Sequence, residues 1–100
     1  MIKGYRLAKA AQDDLREIRD YTRITWGDKQ AQHYLSEIKE CFETLVKNPE
    51  LGKSRNEARE GLRSINVGRN VIFYRVGDSA IEVARILHGR MDVAERFESG

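Results

Sequence analysis

Residues 71–83 read Val71-Ile72-Phe73-Tyr74-Arg75-Val76-Gly77-Asp78-Ser79-Ala80-Ile81-Glu82-Val83. Branched and aromatic side chains alternate on both sides of Gly77-Asp78, the pattern of two strands joined by a tight turn. Taken as a two-residue loop, Gly77-Asp78 pairs Val76 with Ser79, Tyr74 with Ile81 and Ile72 with Val83. One face then carries Ile72, Tyr74, Val76, Ile81 and Val83. A second tight turn within Gly68-Arg69-Asn70 brings a strand over residues 62–67 alongside and adds Ile65 and Val67 to that face. The opposite face carries Ser64, Asn66, Val71, Phe73, Arg75, Glu82 and Ala84. Such a mixture predicts either a binding surface or a solvated sheet face with one exposed aromatic.

Upstream of a polar loop over residues 48–60 the period changes from two to that of a helix. Ala31, Tyr34, Leu35, Ile38, Cys41, Phe42 and Leu45 form one apolar stripe, which Asn48-Pro49 ends because proline disfavours helical geometry at the residue before it. Before that, Ala8, Ala11, Leu15, Ile18 and Thr22 recur at helical spacing, with Asp13 and Asp14 near the start, where the helix dipole favours negative charge. Trp26-Gly27-Asp28 separates the two helices, with glycine at the terminus of one and Asp28 placed to cap the other. Residues 2–7 suit an edge strand. The reading is an α+β fold, β-α-α-β-β-β, with a helix hairpin packed on one face of a mainly antiparallel sheet.

One hundred residues suit a single domain spanning 1–100 with one modest core. The chain is 40% hydrophobic and 34% charged, with a net charge of +2, so the overall balance selects no partner. Residues 53–75 hold Lys53, Arg55, Arg59, Arg63, Arg69 and Arg75 against Glu57 and Glu60, a basic stretch that can meet nucleic acid, an acidic protein surface or water. It lacks the interleaved aromatics of a single-strand reader, and no sequence-specific nucleic-acid binding is expected. The sole cysteine, Cys41, excludes an intrachain disulfide, and no ligand cluster suggests a metal or other cofactor. No segment approaches the roughly 18 apolar residues of a membrane span, and the expected location is the cytoplasm.

Several motifs carry a resemblance. Ala11-Gln12-Asp13-Asp14-Leu15-Arg16-Glu17-Ile18 is similar to an A-x-x-D-L-x-x-I helix start, and Trp26-Gly27 to an aromatic-glycine joint. Asn48-Pro49-Glu50-Leu51-Gly52 resembles an N-P-x-x-G loop, and Arg59-Glu60-Gly61-Leu62-Arg63 a basic approach to the second strand. Ile86-Leu87-His88-Gly89-Arg90-Met91-Asp92 resembles an I-L-H-G-R-x-D ending. In this order, over nearly the whole chain, they resemble the ParE branch of the RelE/ParE toxin–antitoxin superfamily. Where that family commonly starts its first helix with Ser or Thr followed by Pro, this chain has Ala8 and Lys9, which removes a capping side chain typically worth about 1 kcal/mol.

The resemblance implies a toxin that poisons DNA gyrase and so blocks replication. It also implies a ParD-like antitoxin partner, held in a hetero-oligomer. Arg63, Arg69, Arg85, His88 and Arg90 are the candidate target-binding residues, and Leu15, Ile18, Tyr21, Trp26 and Phe73 the candidate antitoxin contacts. The alternative within the superfamily is a ribosome-dependent messenger RNA endoribonuclease of the RelE type, which needs proton-transfer groups and cations around the scissile phosphate. His88, Arg63, Arg69 and Arg85 are its candidates here. The position after His88 is Gly89 and the next aromatic is Phe97, which has no hydroxyl for proton transfer, so a non-enzymatic toxin is expected.

Overall fold

The computed structural model describes residues 1–89. Its elements are β1 (Gly4–Leu7), α1 (Lys9–Trp26), α2 (Asp28–Lys47), β2 (Lys53–Ser54), β3 (Arg63–Val67), β4 (Asn70–Val76) and β5 (Ala80–His88). The strands form one sheet in the order β1-β5-β4-β3-β2. β1 runs parallel to β5 and the other neighbours pair antiparallel. The sequence-derived order of elements holds, with one addition, the two-residue strand β2 inside the stretch read as loop.

Both helices cover one sheet face. Ala11, Ile38, Phe42 and Leu45 meet Ile72, Tyr74, Ile81, Val83 and Ile86 in the main core, with Leu15, Ile18, Ile65 and Val67 packed around them. The Tyr5 ring of β1 lies 5.0 Å from that of Phe42 of α2, tilted by 46°. Burying each large apolar side chain in such a core contributes about 1.5–3 kcal/mol.

The hairpin register differs from the expected one, and the difference is instructive. Gly77 N–H donates to the Ala80 carbonyl, so the loop is Asp78-Ser79 and Val76 pairs with Ile81. Tyr74 therefore faces Val83 rather than Ile81. A displacement of two residues leaves every side chain on its expected face, because the strand repeat is two. Ala84 then interrupts the ladder. Tyr74 pairs with Val83 but Phe73 pairs with Arg85, leaving one extra residue on β5 as a β-bulge. The bulge exchanges the faces beyond it, so Ile86 enters the helix-covered core and Leu87 turns to the other side.

That other side is not the exposed surface the alternation suggested. Phe73 is 1% exposed, packed with Leu62 and Leu87 in a second small core that Ala58, Val71 and Ala84 border. The segment leading into β3 folds over the sheet and supplies this cover, closed by hydrogen bonds such as Arg55 N–H to the Leu62 carbonyl. Phe73, expected as an antitoxin contact, therefore offers no surface to a partner.

At the helix joint Gly27 has φ +96°, a conformation open to glycine and strained for other residues. Gly27 itself is the N-cap of α2, and Asp28, expected as the cap, is instead the first helical residue. Asp28 still places negative charge in the first turn, where the dipole favours it. The N-cap of α1 is Ala8, in extended geometry and with no side-chain cap. Changing Ala8 to serine supplies the missing acceptor and is expected to raise stability by about 1 kcal/mol, read as a higher urea midpoint at unchanged slope.

Candidate functional site

A groove of about 1150 Å³ opens between α1 and the far end of the sheet. Asp13, Asp14, Glu17, Ile18, Tyr21 and Trp26 of α1 form one wall. Gly68, Arg69 and Asn70 of the β3–β4 turn and Arg85 to His88 of β5 form the other, with Gln30 and Tyr34 of α2 between them. The fold thus gathers residues expected in two separate sets. Ile18, Tyr21 and Trp26 line the same groove as Arg69, Arg85 and His88. Tyr21 and Trp26 are 63% and 61% exposed, an outward aromatic pair.

The other candidates go elsewhere. Leu15 packs against the main core. Arg63 faces a separate hollow beside Pro49 and Val76, and its guanidinium donates to the Gly52 carbonyl at 2.7 Å and the Glu50 carbonyl at 3.3 Å. Arg90 lies outside the described residues, as do Met91, Asp92 and Phe97. The basic stretch as a whole is used largely within the fold. Arg55 donates to Ser64 at 2.7 Å and Arg75 to the Glu60 carbonyl at 3.1 Å, alongside the Arg63 contacts.

Two residues organise the groove that sequence reasoning did not single out for it. Asp14, assigned there to the helix dipole, is buried and accepts from Arg85 Nε at 2.8 Å and Nη2 at 2.9 Å, a bidentate pair. Its carboxylate also accepts from the backbone N–H of Ile86 at 2.9 Å. The aspartate of the A-x-x-D motif therefore fastens α1 to the strand immediately after the Ala84 bulge. In return, the hydrogen bonds that Arg85 donates to Asp14 hold its guanidinium above the ordinary pKa. The clue in the sequence was a carboxylate on the apolar stripe, three residues after Ala11 and four before Ile18. Arg85, a candidate target contact, is thus committed to an internal ion pair.

Tyr34 does similar work at the β3–β4 turn. Its hydroxyl lies 2.7 Å from Asn70 Oδ1 and 3.0 Å from the Val67 carbonyl, and accepts from Arg69 N–H at 3.2 Å. The turn can come this close because residue 68 is glycine, with φ +55°; a Cβ there would sit 2.5 Å from the Tyr34 ring.

Tyr74 is wholly buried; its hydroxyl donates to the Pro49 carbonyl at 2.8 Å and accepts from Gly52 N–H at 2.8 Å. Burial raises the ionisation of both Tyr34 and Tyr74 above the ordinary value of 10.0. An acid whose folded pKa is raised contributes stability that is complete below its unfolded pKa and is lost as pH rises through the folded one. Stability is therefore expected to fall from about pH 10 upward. An ultraviolet tyrosinate titration should show a late component, diminished in Tyr34→Phe and in Tyr74→Phe.

Burial likewise pushes the half-buried Cys41 thiol up, which keeps it in the unreactive protonated form. Among the described residues no group of three His, Cys, Asp or Glu side chains could hold a metal, and no helix is long and apolar enough to cross a membrane.

Residues 5–93 match the family described as the ParE toxin of the type II toxin–antitoxin system parDE. The chain belongs to the ParE toxin family. Similarity extends to Toxin ParE1 of Mycobacterium tuberculosis, 43% identical over 94 residues that cover 93% of this chain and 96% of that one. Toxin ParE1 of Caulobacter vibrioides is 36% identical over 91 residues, covering 91% of this chain and 94% of the relative. A solved structure described as a chromosomal ParDE system from P. aeruginosa has a TM-score of 0.74 at 21% identity, covering 87% of this chain and 96% of its counterpart. The fold is that of the RelE/ParE superfamily, and the protein is a ParE-type toxin of a type II toxin–antitoxin system.

Proposed function

We propose that this toxin acts in the cytoplasm by binding and poisoning DNA gyrase, without catalysing a reaction of its own, and that a ParD-like antitoxin neutralises it. The observation that carries the non-catalytic part is how the candidate chemistry is already engaged. Of the ribonuclease set, Arg63 is turned to the hollow beside Pro49, and Arg85 is held by Asp14. The tyrosine hydroxyls of Tyr34 and Tyr74 are tied into the fold, and burial moves both above the ordinary tyrosine range. His88 and Arg69 line the groove wall, and with Arg90, two residues beyond His88 in sequence, they are the contacts proposed for a protein target. A binder needs only a few such anchors on a firm surface. Ile18, Tyr21 and Trp26 supply the apolar part of the groove for an antitoxin segment that orders as it binds.

The deciding experiment is a supercoiling and DNA-cleavage assay with purified gyrase beside a ribosome-programmed messenger RNA cleavage assay. Inhibited supercoiling or accumulated cleaved DNA, with messenger RNA intact, is the expected result. Cut messenger RNA with gyrase untouched would overturn it and make His88 and Arg69 the first catalytic candidates.

A further inference from the structure

Each wall of the groove carries an exposed charged group that makes no hydrogen bond or ion pair among the described residues. On the α1 wall, Asp14 is paired with Arg85, and Asp13 with Lys9 and Arg16. Glu17 is exposed on the same wall; its carboxylate attracts the Arg85 guanidinium at longer range, and no hydrogen bond or ion pair among the described residues engages it. Across the groove the backbone of Arg69 is fixed by Tyr34, yet its exposed guanidinium meets no described carboxylate or carbonyl. The exposed rings of Tyr21 and Trp26 and the half-buried Ile18 share the groove with them.

We propose that Glu17 and Arg69 are the specificity determinants of this groove. Its occupant is a peptide segment of a partner protein with three features: an apolar stripe for Ile18, Tyr21 and Trp26, a cation facing Glu17 and a carboxylate facing Arg69. This rests on the antitoxin reading above and adds which residues select the antitoxin and in which orientation. Glu17, exposed on one wall, disfavours a phosphate backbone there. The groove's 1150 Å³ also exceeds the roughly 300–1,000 Å³ of ordinary small-ligand pockets. Opposite charges on opposite walls make one direction of a bound segment attractive and the reverse repulsive, which is how rim charges set register and exclude wrong partners.

Trp26 is the sole tryptophan and lines the groove, so its emission reports occupancy directly. The test titrates the purified toxin with its cognate ParD-like antitoxin protein, any tryptophan of the antitoxin having been changed to phenylalanine. Binding is measured in parallel by calorimetry. The expected result is a saturable emission shift, with Glu17→Arg and Arg69→Glu each weakening Kd about tenfold. Glu17→Arg should be rescued only by an antitoxin change from basic to acidic, and Arg69→Glu only by one from acidic to basic.

Unchanged Kd in both variants, or rescue that ignores sign, overturns the proposal. Calorimetric binding that leaves Trp26 emission unmoved places the antitoxin elsewhere and overturns the groove assignment while the antitoxin reading stands. No binding at all sinks that reading and the proposal with it. A concentration-dependent shift of the toxin alone would make a second copy the occupant, which also overturns it. Both residues are exposed and make no ion pair among the described residues, so unchanged thermal midpoints in the variants separate lost recognition from lost folding.

Discussion

Replacing Asp14 with alanine is expected to lower the unfolding free energy by about 3 kcal/mol, measured as a urea midpoint shift at constant slope. The carboxylate satisfies Arg85 through two nitrogens and the Ile86 N–H through one of the same oxygens. Side-chain exposures are 10% for Asp14 and 28% for Arg85, so removing the acid leaves a cation mostly shielded from water. Stranding one partner of a buried pair costs about 3–5 kcal/mol, and the Ile86 amide adds an unsatisfied donor. The partial opening of Arg85 to water holds the figure at the lower end. Asp14→Asn keeps an acceptor but loses the charge and one of the guanidinium contacts, so it should fall between alanine and the parent. Amide exchange should locate the damage: protection lost first from Ile86 to His88 and from the first turns of α1, with β3 and β4 less affected. A loss below about 0.5 kcal/mol, the level of an ordinary surface substitution, would mean that the clamp contributes nothing measurable.

The contrast between Asp14 and Tyr74 shows which parts of the molecule the sequence could reveal. Alternation put Tyr74, Ile72, Ile81 and Val83 on the helix-covered face, and they are there. That assignment survived a wrong turn residue because a displacement of two preserves sheet faces. The Ala84 bulge was beyond reach, since an inserted residue leaves composition and local alternation nearly unchanged. Beyond it, Ile86 and Leu87 exchange sides for a reason that lies in the pairing and not in either side chain. The burial of Phe73 was hidden similarly, because Leu62 and Leu87 pack on it and Ala58, which borders them, lies in a loop too polar to read as core.

Charged residues were harder still. Asp14 lies 71 residues from Arg85 in the chain, and a carboxylate near a helix start looks alike whether it meets a dipole or a distant guanidinium. The arginines of residues 53–75 read as a patch because sequence shows charge without showing the carbonyls that take it up. What could be read was part of the groove lining, since Ile18, Tyr21, Trp26, Arg69, Arg85 and His88 meet there while Leu15, Arg63 and Phe73 lie elsewhere. What could not was that Arg69 and Arg85, similar in sequence, have opposite fates: one engaged by Asp14, the other open to the groove.

The N-P-x-x-G loop yields the other large expected effect. Gly52 is buried, and a Cβ built on it would lie 2.5 Å from the Tyr74 hydroxyl oxygen, 2.7 Å from Cε1 of its ring and 2.9 Å from the Ser64 carbonyl. None of these neighbours can withdraw easily: Tyr74 is packed on every side and Ser64 belongs to the β3 ladder. Gly52→Ala must therefore push the loop off the sheet, breaking the Gly52–Tyr74 hydrogen bond and disturbing the Arg63 contact with the Gly52 carbonyl. Overpacking of this kind costs about 1–3 kcal/mol, and the lost hydrogen bonds bring the expected total to about 3 kcal/mol. Tyr74→Phe leaves the ring in place but strands the Gly52 amide and the Pro49 carbonyl, for an expected loss of about 2 kcal/mol. The two changes touch the same hydroxyl, so they should not add. In the Tyr74→Phe background the contact with oxygen is gone while those with Cε1 and the Ser64 carbonyl remain, and Gly52→Ala should cost about 1 kcal/mol less than in the parent. Additive losses in urea unfolding of the four proteins would show that the tyrosine hydroxyl is not what makes glycine necessary at position 52, leaving the ring edge and the β3 backbone as the whole constraint.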